Sequence, residues 1–503
     1  MKHLKFTALS LFLIYSVSAQ DVKKLSADYI QTNGHQIIDE FRTLLSIPNV
    51  AYDLPNIHKN ADYIKTQLEK RGVQTQLLRM IGTPPIVYGY LPSKGAKNTI
   101  AFYVHYDGQP VDTTQWTNSP WKPTFYSKGI PDGGTAIPFP TASTSIDPEN
   151  RIYARSAGDD KAPIIGILSA LDIIQKNKLK IRSNIVFFFE GQEEAGSMQL
   201  QRYLEDNKAL VDEIDIWLFC DGPVHQSRKP QLVFGVRGST GMEVTVYGPN
   251  RGLHSGHYGN WAPVPGQMLS ELIASMKDEK GNVIVEGYYD SVEPLTELEK
   301  SALSKVPNTD EEIKKEIGIS WTEGTESLNE RLLLPSLTIR GLTSANTGRL
   351  AANVIPTTAT ASIGMRMVKG NDPSTMQDLV EAHIRKQGYH IVREDPDQET
   401  RMKYPKIAKV ERQSGYPAAR TPMDDPMANL IVQRAKVIAG EELILLPTLG
   451  GSLPLYLFTD VMKKPSIIVP VANHDNNQHS SDENLRVANL WYSVQLMTAL
   501  LTM

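Results

Sequence analysis

Three short, almost wholly apolar runs stand out along the chain, at residues 100–104, 185–189 and 214–219. Runs of this length without polar alternation predict strands buried on both faces. Between the first two, Ile164, Ile165, Leu168, Leu171 and Ile174 recur at helical spacing behind Pro163, a residue suited to a first helical turn. Strand and helix in alternation predict an α/β sheet. From about Ser239 the period changes. Met242, Val244 and Val246 alternate with Gly241, Glu243 and Thr245, and Ile363, Met365 and Met367 alternate further on. Period two predicts a sheet with one solvated face. Charge-rich helices are expected between these strands, at 295–305 and 310–317. The expected organisation is a main domain from 20–238, an inserted α+β domain over 239–410, and a return to the main domain over 411–503. Residues 126–145, rich in Gly, Pro, Ser and Thr, are expected to form a loop.

Composition adds bounds to this picture. At 503 residues the chain exceeds what one core usually supports, and 41% apolar with 21% charged residues is ordinary for a globular protein. Residues 1–19 have the pattern of a secretory signal. Lys2 and Lys5 supply positive charge, residues 12–17 are mostly apolar, and Val17-Ser18-Ala19 offers small residues for cleavage after Ala19. An exported protein, periplasmic or secreted, is therefore expected. The only cysteine, Cys220, excludes an internal disulfide, and its apolar approach predicts a buried structural thiol. Formal charge is −4, or −6 without Lys2 and Lys5, and no basic run suggests nucleic acid. No segment reaches the roughly 20 apolar residues of a membrane span.

Polar chemistry collects just beyond the apolar runs: His105 and Asp107 in HYDGQP, Asp159 and Asp160 in AGDDKAP, Glu193 and Glu194 in EGQEEAGS, and Asp221 in CDGP. His479 follows later, in NQHSSDE. In α/β sheets functional groups gather beyond the carboxyl ends of strands, where these fall. Taken singly, each has an ordinary explanation. An HxD pair can close a turn, two Asp before a helix can cap it, and Asp221 with Gly222 and Pro223 can begin a turn. Adjacent Glu193 and Glu194 repel unless a cation compensates them, or they form a solvated acidic loop. Together, two His and several carboxylates make a hard to borderline ligand set suited to Zn²⁺, Mn²⁺ or Co²⁺ in hydrolysis.

The order and wording of these segments resemble the M20 family of metallopeptidases along essentially the whole chain after residue 19. Within it the chain is similar to carnosinase-like dipeptidases, through GLHSGHYG at 252–259, QWTNSPWKP and the long insertion. The resemblance implies a zinc-peptidase-like α/β catalytic domain, its central sheet flanked by helices, with 239–410 as lid and dimerisation domain. It implies two divalent ions, most simply Zn²⁺: Asp159 bridges them, His105 and Asp221 complete one, and Glu194 and His479 the other. Glu193 is left as general acid/base, Asp107 supports His105, and the Asp159–Asp160 peptide is a candidate for the cis form. His254 would reach the site of a partner subunit in a homodimer. Arg366, Gly451 and Ser452 would hold the substrate carboxylate. The implied activity is hydrolysis of dipeptides or short peptides, with N-acyl-amino-acid hydrolysis as the alternative.

Overall fold

A computed structural model describes the backbone from Leu4 to Met503 and side chains from Asp21 onward. The leader expected over 1–19 thus lies outside the residues whose side chains are described. Helix α1 (Leu4–Leu45) precedes strands β1 (Gln74–Leu78), β2 (Ile86–Leu91) and β3 (Thr99–His105). Helix α2 (Lys161–Asn177) leads to β4 (Asn184–Glu190), β5 (Ile216–Phe219) and β6 (Gln231–Val233). There follow β7 (Gly238–Tyr247), β8 (Ser336–Thr343), β9 (Thr358–Met367), α3 (Pro373–Lys386), β10 (His390–Val392) and β11 (Ile407–Arg412). The chain ends with β12 (Ile444–Leu446), β13 (Ser466–Ile468) and α4 (Val487–Leu501).

The three apolar runs become β3, β4 and β5, at the centre of an eight-stranded sheet ordered β1-β2-β4-β3-β5-β13-β6-β12. β3 is parallel to both β4 and β5, and β5 to β13, so their carboxyl ends share one edge. Each strand alternates between two cores. Ile100, Phe102 and Val104 of β3, with Phe187 and Phe189 of β4, face the cluster formed with α1, α2 and α4. Ala101, Tyr103 and Phe188 face the opposite cluster, which holds Trp217 and Phe458. Both faces are thus covered, the physical reason these strands carry no polar alternation. In α2, Pro163 occupies the first turn, and Ile164, Ile165, Leu168 and Leu171 are all buried.

The second sheet is ordered β8-β9-β7-β11-β10. β9 alternates strictly, burying Ala359, Ala361, Ile363, Met365 and Met367 and leaving Arg366 exposed. β7 departs from the expected alternation at Gly241, which is buried. A Cβ there would lie 2.6 Å from Gln413 Oε1 and 2.7 Å from the Ile363 carbonyl oxygen. Helix α3 covers the apolar face through Met376, Val380 and Ile384. The two charge-rich helices form at Glu297–Leu303 and Asp310–Ile317. Thr296 and Glu299 close a reciprocal cap on the first. Within 126–145 a two-residue strand, Ala136–Ile137, pairs with Thr124–Tyr126, and much of the remainder is turn. Among the described residues, no helix is long and apolar enough to cross a membrane.

Candidate metal centre

The shared strand edge delivers the acids and histidines to one place. His105 is the last residue of β3, and Asp221 follows β5 by two residues. Glu193 and Glu194 lie in the turn after β4, and Asp159 lies just ahead of α2. His105 Nε2 is 2.8 Å from Asp159 Oδ1 and 3.9 Å from Asp221 Oδ2. His479 Nε2 is 3.1 Å from the other oxygen of Asp159 and 3.2 Å from Glu194 Oε2. The potential ligand atoms form two groups, His105-Asp159-Asp221 and Asp159-Glu194-His479, each spanning no more than 4.8 Å. Asp159 belongs to both and offers one oxygen to each side. The Asp159–Asp160 peptide is cis.

Asp107 has a wider part than supporting His105. Its carboxylate lies 3.5 Å from His105 Nδ1, and its two oxygens accept the N–H groups of Glu193 and Glu194, each at 3.0 Å. One buried carboxylate thus fixes both the β3 end and the turn after β4.

The electrostatics call for added positive charge. Burial, then repulsion from Asp159, pushes the Glu194 carboxyl up to about 7 and that of Asp221 up to about 6. Burial also raises Glu193, with Asp221 and Glu194 as repelling neighbours. Asp159 goes the other way: burial opposes its ionisation, but hydrogen bonds with His105 and His479 hold it well below the usual range. A carboxylate-rich, buried cluster of this kind fits divalent cations, whose charge replaces the two imidazolium protons. Cys220, beside Asp221, is a buried free thiol whose pKa burial raises, so it is no ready nucleophile.

A cavity of about 620 Å³ opens on this centre, with Asp159, Glu193, Asp221 and His479 in one part of its wall and Arg366, Gly451 and Ser452 in another. Arg366 Nη1 donates to Ser452 Oγ at 2.5 Å, and Ser452 Oγ donates to the Arg237 carbonyl at 2.7 Å. His254 is not brought to this cavity within the single chain. It is exposed, ends the short strand Leu253–His254, and accepts the Gly256 N–H at 3.1 Å.

Three contacting residues escaped the sequence analysis. Gln109 donates to Glu194 Oε2 at 2.7 Å, and Gln478 to Asp159 Oδ2 at 2.6 Å. Glu483 is fully buried. One of its oxygens accepts the N–H groups of Gly158 and Asp159, and the other accepts Ser156 N–H and Arg155 Nη1, all at 2.8–2.9 Å. All three stand inside the quoted segments, Gln109 in HYDGQP and Gln478 and Glu483 in NQHSSDE, which was the one available signal.

Comparison with known proteins agrees with this geometry. The pattern of Peptidase family M20/M25/M40 matches residues 101–503. A Cys-Gly metallodipeptidase of Schizosaccharomyces pombe is 26% identical over 497 residues, covering 94% of this chain and 97% of that protein. The human Beta-Ala-His dipeptidase is 25% identical, covering 83% of this chain and 76% of its own length. The crystal structure of an M20 family metallo-carboxypeptidase from Sulfolobus solfataricus superposes with a TM-score of 0.73 at 25% identity, covering 93% of this chain and 98% of that one. These relatives correct one expectation. Export is contradicted by the yeast Cys-Gly metallodipeptidases, cytosolic relatives matched along nearly the whole chain, so the leader-like pattern at 1–19 is not evidence enough for it. The two ligand groups sharing Asp159, the sheet edge that assembles them and the match over 101–503 lead to one conclusion: the chain belongs to Peptidase family M20/M25/M40 and is a metallopeptidase of that family.

Proposed function

We propose that this protein is a dinuclear metal-dependent dipeptidase, with His105, Asp159 and Asp221 holding one divalent ion and Asp159, Glu194 and His479 the other. The observation that carries this reading is the pair of three-ligand groups joined through Asp159, with Glu193 in the wall of the same cavity. Zn²⁺ suits the mixed imidazole and carboxylate set, and Mn²⁺ or Co²⁺ would accept it. When bound, such a pair polarises the scissile carbonyl and makes hydroxide available near neutral pH.

The remaining steps belong to the chain's own residues. Glu193 takes a proton from the attacking water and returns it to the leaving amine. Burial and neighbouring acids raise its carboxyl, which suits a group that both accepts and gives a proton. Asp107 positions this turn through the N–H groups of Glu193 and Glu194. Arg366, with Gly451 and Ser452, grips the substrate's terminal carboxylate. Guanidinium matches carboxylate geometry, and a fixed distance from that grip to the centre limits cleavage to a terminal bond. His254 does not line the cavity of its own subunit, which fits a role in the site of a partner within a homodimer, with 239–410 as lid and dimerisation domain. The yeast relatives act on Cys-Gly and the mammalian ones on Beta-Ala-His by name, which supports a dipeptide substrate here.

The test is hydrolysis of a mixed dipeptide library beside N-acetyl and longer N-acyl amino acids, using metal-stripped protein reconstituted with Zn²⁺ or Mn²⁺. Metal-dependent release of amino acids from free dipeptides is expected. Cleavage confined to the blocked amino acids would overturn the proposal.

A further inference from the structure

Between the metal centre and the Arg366 grip, part of the cavity wall is leucine. Leu449 stands just ahead of Gly450, Gly451 and Ser452. Its Cδ2 methyl would lie 3.8 Å from a Cβ placed on Gly222 and 4.0 Å from one on Gly451. Gly222 follows Asp221 in the chain, so a single methyl borders both the turn that carries a metal ligand and the loop that partners Arg366.

The stretch ahead of β8 supplies two more. A short helix, Leu328–Arg331, is closed at its start by a reciprocal cap between Ser327 and Glu330, and Arg331 Nη1 donates to Asn282 Oδ1 at 3.1 Å. Leu332 lies at its end, with methyls that would stand 3.1 and 3.2 Å from a Cβ on Gly450. Leu328, four residues earlier, shares that helix face and is 40% exposed. Leu332 and Leu449 are half-buried, and all three leucines line the catalytic cavity. Among the described residues lining it, the acids are Asp159, Glu193 and Asp221, all at the metal centre, and Arg366 is the only Arg or Lys.

A dipeptide held at both ends decides what faces this wall. Its scissile carbonyl stands at the metal centre and its terminal carboxylate at Arg366, with only the amide nitrogen and one Cα between them. The side chain on that Cα, that of the C-terminal residue, therefore leaves the backbone along the span that Leu449 borders. An apolar side chain there removes its own surface and that of the leucines from water, which is favourable in proportion to the area covered. A carboxylate or carboxamide side chain in the same place gives up its hydration and gains no hydrogen bond from leucine.

We propose that Leu328, Leu332 and Leu449 form a subsite that selects dipeptides whose C-terminal residue carries an apolar side chain. This rests on the dipeptidase reading above, with its carboxylate grip, and adds the substrate class. Leu, Asn and Asp side chains are close in shape, so the test compares kcat/KM of the full-length, Zn²⁺-loaded protein for Ala-Leu, Ala-Asn and Ala-Asp, with Leu-Ala and Asn-Ala as the exchanged order. Ala-Leu should exceed Ala-Asn and Ala-Asp by about ten-fold or more, the worth of burying most of a leucine side chain. In Leu449→Asn the ratio of Ala-Leu to Ala-Asn should fall toward one, while that of Leu-Ala to Asn-Ala stays as in wild type. A wild-type ratio near one, an unchanged ratio in the variant, or an equal fall in both orders overturns the subsite. If Leu449→Asn does not fold, Leu328→Asn, at an exposed position, takes its place with the same outcomes. Hydrolysis of none of the five peptides would refute the dipeptidase reading instead. Calorimetric titration with Ala-Leu against Ala-Asn then decides the subsite, and equal binding of the two overturns it.

Discussion

Glu193 and Glu194 occupy one turn and share one anchor, yet the geometry gives them different work. Glu194 meets His479 and Gln109, as a ligand would, while no hydrogen bond ties the Glu193 carboxyl to the protein among the described residues. Glu193→Gln should therefore keep full metal stoichiometry, read by elemental analysis, and lose about 10²–10⁴ in kcat, the usual worth of a general base. Near-normal turnover would refute its role. Glu483 acts one layer back, on the backbone that carries Asp159. In Glu483→Gln one oxygen becomes a donor facing N–H groups. Metal affinity should fall about 10–100-fold, as for lost supports behind metal ligands, measurable by competition with a chelating dye. At this scale the gathering of His105, Asp159, Glu194, Asp221 and His479 was legible because the segments that carry them follow, in order, the motifs of the family the chain resembles. Gln109, Gln478 and Glu483 were not, because a residue that hydrogen-bonds a ligand carries no spacing signature of its own.

Whole elements were legible where one period dominated. β3, β4 and β5 announce themselves because both faces are covered, and β9 because one face is wet. Gly241 broke the pattern in β7 for a local reason, the close approach of Gln413 and of the neighbouring strand. The subtler support of the second sheet is Glu381 on α3, buried beneath Arg393 of the β10 end and Arg412 of β11, with hydrogen bonds of 2.7–2.9 Å to them. Burial opposes its ionisation, but these guanidinium groups hold its pKa down to about 2. A carboxyl lowered on folding stabilises the protein above its unfolded pKa near 4.5, and loses that contribution as pH falls from there toward about 2. Because the arginines are partly solvated, the expected loss is about 1–2 kcal/mol. Glu381→Gln should lower Tm at pH 7, and the gap to wild type should close between pH 4.5 and 2, followed by circular dichroism. A gap constant across that range would exclude the linkage.

For the molecule as a whole, the placement of His254 makes the strongest demand. If it completes a partner's site, His254→Ala and Glu193→Gln subunits are each inactive alone, yet complementary. A mixed dimer holds one site with both Glu193 and His254 intact. Equimolar mixing with subunit exchange should therefore restore roughly a quarter of wild-type activity, by the statistics of a two-fold dimer. No recovery, or a monomer in sedimentation velocity, would overturn the arrangement. Nothing in the sequence outside the family resemblance pointed to this, since a glycine-flanked surface histidine looks alike whether or not another subunit covers it.

The order of the strands also sets a timetable. His105, Asp159 and Asp221 all precede His479, which follows Asp221 by 258 residues, and β13 must slip between β5 and β6 before it is reached. A growing chain can thus assemble one ligand group long before the other. If turnover needs both groups, a peptidase built in this order is not armed before its own sheet is closed.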